Sequence, residues 1–313
     1  MTIHTQGTIA IVVAFSFALL ANIAIGARVY TQVVITKKFN LNDVGILIAY
    51  AAYLSLGGLL VNGVINGIGG HIFQASIPKI TEVLKMIWFL EIIYVILTSV
   101  MKGSIAVTMM QWTKNRILIW MFWGSIAMDV IISSIFTFYV IFQCTPISYA
   151  WQMLDPKVKG KCLPFKGQLY MGLALCFVTL SLDILLMVSP FIMMKGRGIN
   201  KHLKNYIYGI FSLGIFATIA NLIRLAALFK LEKSTDQLFD AAPVFTWSAV
   251  EVSIGLVIAG LLELGPLMAK YNFKGFDDYS HFGHLGDDDT VKLQNIQSID
   301  KPGLTISGPV RGF

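Results

Sequence analysis

Apolar residues run almost unbroken through seven long stretches of this chain, and polar residues gather in the segments between them. The stretches are Thr8–Val29, Val44–Ile65, Val83–Met110, Ile117–Phe142, Gln168–Met194, Tyr206–Phe229 and Pro243–Lys270. Each meets the length of about 20 residues that a helix needs to cross a hydrocarbon core of ~30 Å. In lipid the backbone must satisfy its own hydrogen bonds, which leaves helices as the fitting element for such runs. The pattern predicts an all-α integral membrane protein, a seven-transmembrane helix bundle occupying residues 8–270. Residues 1–7 form a short N-terminal segment. From Tyr271 the helical period gives way to Gly, Ser and Asp, including Asp277, Asp278 and Asp287–Asp289. Residues 271–313 read as a disordered tail whose aspartates are solvated charge rather than a metal site. No repeat of 20 to 50 residues is visible, so the membrane unit is one domain.

Composition sharpens this reading. Hydrophobic residues make up 56% of the chain and charged residues 13%, against about 25% charged in soluble domains. The mean hydropathy is +0.72. So much apolar surface takes a lipid bilayer as its solvent, in the plasma membrane or an endomembrane. The formal charge of +7 comes without a basic stripe interleaved with aromatics, which argues against nucleic acid as a partner. The basic residues lie mostly at helix ends, where they set orientation.

Lys and Arg are retained on the cytoplasmic side of short loops. Arg28, Lys37 and Lys38 follow the first stretch, Lys114 and Arg116 the third, and Lys195, Arg197, Lys201 and Lys204 the fifth. That side is expected to be cytoplasmic, with the N-terminus outside and the tail inside. The opposite loops hold Lys79, and Lys230 with Lys233 offset by Glu232, Asp236 and Asp240. One set dissents: Lys157, Lys159, Lys161 and Lys166 between the fourth and fifth stretches. Cys144 and Cys162 flank that same loop, and a disulfide there suits an oxidising exterior. Cys176, in mid-stretch, reads as a small packing residue. The first stretch is too long for a signal-peptide core and reads as a retained anchor.

Charges inside the apolar stretches carry the candidate chemistry, because each costs about 3 kcal/mol near a bilayer centre and turns inward toward a partner or water. Six stand out: Glu91 and Lys102 on the third stretch, Asp129, Asp183, Arg224 and Glu251 on the fourth to seventh. Counting 1.5 Å per residue from the assumed outer ends puts Glu91, Arg224 and Glu251 ~10–12 Å deep, and Asp129, Asp183 and Lys102 ~20–28 Å deep. Two layers are expected, each with one cation, pairing Arg224 with Glu91 or Glu251 and Lys102 with Asp129 or Asp183. All six ionised would leave two net negative charges, so either a carboxyl is neutral or the interior awaits a cation or polar ligand. Structural pairing and a ligand or proton site both remain open. No nucleotide loop, metal-ligand cluster or nucleophile elbow is present, and no cofactor is implied.

Several short motifs, taken in order, resemble the fungal rhodopsin-like domain family, over most of residues 20–269. They are Arg28-Val29-Tyr30 ahead of Asn42-Asp43, Lys102-Gly103-Ser104, and Cys144-Thr145-Pro146 followed by Trp151 and Cys162. Asp183 and Pro190, Phe211-x-Leu213-Gly214 with Arg224, Trp247-Ser248-x-x-Glu251 and Pro266-Leu267 continue the series. The resemblance implies a seven-span protein in a group that includes receptor-like proteins of plant-pathogenic fungi, and it marks Trp247 as a pocket candidate. Departures from the pattern, such as Asn42-Asp43 for paired aspartates and Met109-Met110-Gln111-Trp112 for a more basic stretch, make this a divergent member. Retinal is not implied, since a Schiff base needs a lysine within the seventh span. The lysine there, Lys270, sits at its end.

Two function classes follow. In one, a small lipophilic ligand enters from outside under the 144–162 loop and shifts helix packing, so that surfaces around 195–205 engage a cytoplasmic signalling partner. Contact of those lysines with anionic lipid is the more ordinary role. In the other, a buried carboxyl such as Glu91 or Asp183 protonates a lipophilic substrate, as in a cyclase or isomerase, or the chain is an accessory of a secondary-metabolite pathway. A transporter is a weaker third reading without an inverted repeat.

Overall fold

The computed structural model describes residues 5–37, 39–70, 77–194, 201–232, 234 and 237–271. The tail from 272 onward, Lys38, Lys195, Arg197 and Lys233 lie outside the described residues, and with them the expectation of disorder there.

Helix α1 (Thr5–Tyr30) continues into a π-helical segment, Thr31–Thr36, that ends at Lys37 with a positive φ of 50°. Then come α2 (Leu41–Asn66), α3 (Ile77–Gln111) and α4 (Arg116–Phe142). Strand β1 (Cys144–Thr145), the short α5 (Tyr149–Gln152) and strand β2 (Lys161–Cys162) form the next connection. Helices α6 (Phe165–Met194), α7 (Lys201–Glu232), α8 (Gln237–Leu262) and α9 (Gly265–Lys270) complete the fold. Seven of these, α1 to α4 and α6 to α8, are long and apolar enough to cross a membrane. The chain is a multi-pass membrane protein with a seven-helix bundle.

Local chemistry places the ends. The Asn115 side chain accepts the Ile117 N–H and caps α4 at 3.0 Å, and Asp43 accepts the Asn40 N–H at the start of α2, each satisfying a donor that a helix start leaves orphaned. The seventh span is shorter than the sequence pattern suggests. Apolar residues continue to Lys270, but the helix stops at Leu262 and restarts at Gly265. Pro266, in the first turn of α9, lacks the N–H that would continue α8 and clashes with the preceding turn. Lys270 is therefore on α9, past the break.

Helix α8 is the centre of the bundle. In its most apolar stretch 61% of residues are buried, against 22–28% in the other six spans. It packs against α1 and α7 and also touches α2 and α3, while α4 packs against α3 and α6. Close approach to α1 rests on Gly260, where an added Cβ would meet the Ala24 backbone at 2.7 Å. The outward faces carry large apolar side chains such as Phe15, Trp120, Phe138 and Phe177. Lipid covers them in a bilayer.

Candidate functional site

Four helices aim one ionisable side chain each at the centre of the bundle. Lys102 of α3 is buried, and its Nζ donates to Asp183 Oδ2 of α6 at 2.8 Å and to Glu251 Oε1 of α8 at 3.1 Å. Arg224 of α7 approaches the second oxygen of the same glutamate, Nε to Oε2 at 3.6 Å. The Tyr94 hydroxyl of α3 donates to that oxygen at 2.8 Å, and the Arg224 guanidinium lies over the Tyr94 ring, 4.9 Å from its centroid. Asn221, one turn before Arg224, donates to Glu251 and reaches Asp183 and Thr179 at 3.3–3.5 Å. Its own carbonyl oxygen accepts from Arg224 Nη2, which also meets the Cys176 thiol, each at 3.2 Å. Two cations face two carboxylates. Such balance offsets the desolvation each ion incurs in a low-dielectric interior.

The two remaining acids stand apart. Glu91 of α3 accepts both its hydrogen bonds from the Gln168 amide of α6, at 3.0 and 2.9 Å. Asp129 of α4 is bonded by Ser99 of α3, and its Oδ1 is buried without a partner. Neither has a cation within salt-bridge distance among the described residues. The two carboxyls in excess of the two cations are thus Glu91 and Asp129.

This geometry corrects the expectation of two layers. Lys102 and Arg224 converge on one glutamate, Glu251, and form a single cluster, while Glu91 and Asp129 flank it with neutral partners. The expected pairs Arg224–Glu251 and Lys102–Asp183 are present, but their separation into two layers fails because depth counting assumes level helix ends. Helix α3 has 35 residues and α8 has 26, a difference of about 13 Å at 1.5 Å per residue, as large as the expected gap between layers. Trp247 is half-buried and packs on the central core.

Above Glu91 lies the connection from α4 to α6. Cys144 and Cys162 are joined by a disulfide and pair across the antiparallel β1–β2 ladder. The connection rests on α3 through Trp151, whose ring meets Trp88 edge-on at 5.4 Å. Trp88 is one helical turn from Glu91 and donates its indole N–H to the Val140 carbonyl of α4. Lys157, Lys159, Lys161 and Lys166 are all exposed at this end.

Sequence reasoning missed Tyr94, Ser99, Gln168 and Asn221, which complete the hydrogen bonding of the charges. A signal existed: Tyr94 lies three residues after Glu91 and Asn221 three before Arg224, polar positions on the same helix faces. It also missed a second cluster at the opposite end. Arg28 was counted among the charges at the membrane face, yet it is 2% exposed. Its Nε and Nη2 donate to Asp43 Oδ1 of α2 at 3.1 and 2.6 Å, and its Nη1 donates to the Ala259 carbonyl of α8. Glu263, in the break between α8 and α9, lies 3.7 Å from Nη2.

A seven-helix membrane bundle with a paired charge centre and a disulfide-stapled connection is the class these features define. Residues 27–270 match the fungal rhodopsin domain, and the chain belongs to that family. Among curated proteins it is similar to the Fugralins biosynthesis cluster protein 2 of Gibberella zeae, 22% identical over 264 residues. The match covers 81% of this chain and 63% of the relative's length, so the chain spans less than two thirds of that protein. No solved structure matches.

Proposed function

We propose that the protein is a receptor-like sensor in which a small lipophilic ligand enters beneath the 144–162 connection and acts on the charge centre. The observation that supports this most is the division of Lys102 between Asp183 of α6 and Glu251 of α8. A lysine shared by two helices is a natural two-state element. A ligand that takes over one carboxylate, or supplies its own to Lys102, changes the relative stability of two helix arrangements, which is all that population shift requires. Surfaces around 195–205 would then pass the change to a cytoplasmic partner.

Purified protein in lipid nanodiscs, screened by thermal shift against lipophilic small molecules, tests the site. Free ligand at 100 times its Kd stabilises a folded protein by about 2.7 kcal/mol. The expected outcome is a compound that raises the wild-type melting temperature and has little effect on Asp183→Asn. Compounds that shift both proteins equally place the ligand elsewhere.

The orientation belongs to the same proposal. A reporter fused after Phe313 is expected to be cytoplasmic and one fused ahead of residue 1 exterior. Both termini on one face would refute the sensor geometry together with the seven-span count.

A second reading rests on two specific observations: the relative's name places it with a biosynthesis cluster, and the half-buried Glu91 and the buried Asp129 have no cation within salt-bridge distance among the described residues. In that reading the protein is an acid/base enzyme or accessory acting on a lipophilic metabolite. Deletion of the gene separates the two. Accumulation of a pathway intermediate supports the enzyme, whereas normal metabolites with a lost response support the sensor.

A further inference from the structure

Beyond the charge centre, the Arg28 cluster holds an uneven charge count in a confined place. Among the described residues Arg28 of α1 is the one cation in it, and two carboxylates turn to it, Asp43 of α2 and Glu263 of the α8–α9 break. With both ionised the cluster carries one net negative charge. The two acids are held very differently. Asp43 takes two bonds from Arg28 on Oδ1 and the Asn40 N–H on Oδ2, and its side chain is 3% exposed. Glu263 is 3.7 Å from Arg28, takes a hydrogen bond from the Gln32 amide of the π segment at 3.1 Å, and is 17% exposed. Glu263 is the loosely held, more accessible acid of the two.

The surroundings of this contact support movement. The backbone changes character on both sides of the contact, from α to π after Tyr30 and from α8 to α9 across Glu263. Single π turns recur at functional sites. Helix α9 rests on the π segment, and above it the Tyr206 hydroxyl of α7 holds the Leu261 carbonyl at 2.7 Å. The last turn of α8 is thus anchored, while α9, past the break, is held by Met268 and Ala269 on the core and by its contact with the π segment, next to the Glu263 bonds.

We propose that Glu263 is a proton-operated latch: protonated, it keeps α9 docked on the π segment of the first span, and ionised, it releases α9. The direction follows from charge. A neutral Glu263 bonds to Gln32 and leaves Arg28 and Asp43 as a balanced pair. An ionised one adds a second negative charge to a site with one cation, a cost relieved by moving Glu263 into water. Burial pushes the Glu263 carboxyl above its ordinary value, Arg28 and Gln32 opposing and Asp43 adding to the push. The docked form therefore holds its proton to higher pH than the released form. By linkage docking is strongest below the ordinary carboxylate range and weakens as pH rises through the docked value.

Hydrogen exchange read by mass spectrometry on the full chain in nanodiscs tests the latch, with protection corrected for the intrinsic pH dependence of exchange. Protection of residues 265–271 in the wild type is expected to fall several-fold as pH rises, while α3 and α8 keep theirs. Glu263→Gln, which mimics the protonated state, should be protected at all pH values. Asp43→Asn, which leaves Arg28 to Glu263 alone, should also lose the pH response and stay docked. An equal pH response in the wild type and both variants, or a latch that loosens on acidification, overturns the proposal. Neither result bears on ligand binding at Lys102.

Discussion

Lys102→Met is expected to remove most folded, membrane-delivered protein, and adding Asp183→Asn to restore a substantial part of it. The lysine is the only cation within salt-bridge distance of Asp183 among the described residues, and it also supports Glu251. Without it two carboxylates, the buried Glu251 and the half-buried Asp183, are left with the single charge of Arg224. Breaking a buried pair by removing one partner costs about 3–5 kcal/mol, a large share of a total stability of about 5–15 kcal/mol. The double variant keeps Arg224 opposite Glu251 and Asn221 beside the new amide, so the charge count returns to balance. Detergent-resistant monodisperse protein, measured by fluorescence-detected size exclusion, gives the comparison. Recovery in the double variant separates charge imbalance from lost packing. If Lys102→Met instead accumulates normally and fails only to respond to ligand, the lysine is a working group whose pairing contributes little to the fold.

Loss of the staple should have the next largest effect. Cys144 and Cys162 are 18 residues apart, and closing a loop near that size lowers the entropy of the unfolded chain enough to contribute about 3 kcal/mol. The connection also carries Trp151 onto Trp88. Cys144→Ser with Cys162→Ser is expected to lower the melting temperature and to speed proteolysis between residues 145 and 161. The same change should appear on reduction of the wild type. If the proposed entrance lies beneath this connection, ligand-induced stabilisation weakens in the same variant. Unchanged proteolysis in the reduced protein would show that the tryptophan contact and the β ladder suffice to hold it.

Much of the architecture was legible in the residues because lipid imposes a one-dimensional rule. A helix must be apolar for about 20 residues to cross, so the seven spans show in composition alone, within a few residues at most ends. Cys144 and Cys162 were legible as a pair because they bracket one connection in a chain with only three cysteines. The six intramembrane charges were legible because their cost marks them. The end of the seventh span was misread, since Gly265 and Pro266 interrupt a run that hydropathy carries on to Lys270.

What the sequence by itself determined is the list of spans and the set of charged residues that must find partners. The tertiary structure decided the partners. Pairing depends on helix length, tilt and rotation, set by packing such as the contact of Gly260 with Ala24, and none of these is written in a hydropathy pattern. Hence Lys102 and Arg224 meet at Glu251 although counting placed them in separate layers, while Glu91 meets Gln168 and no cation among the described residues. Arg28 shows the same lesson from the other direction. By position it belongs to the charges at a membrane face, yet the π segment and the packing of α1 against α8 turn it inward to Asp43 and the Ala259 carbonyl. Side chains as long as those of arginine and lysine reach partners on several helices, and only the arrangement of those helices selects among them.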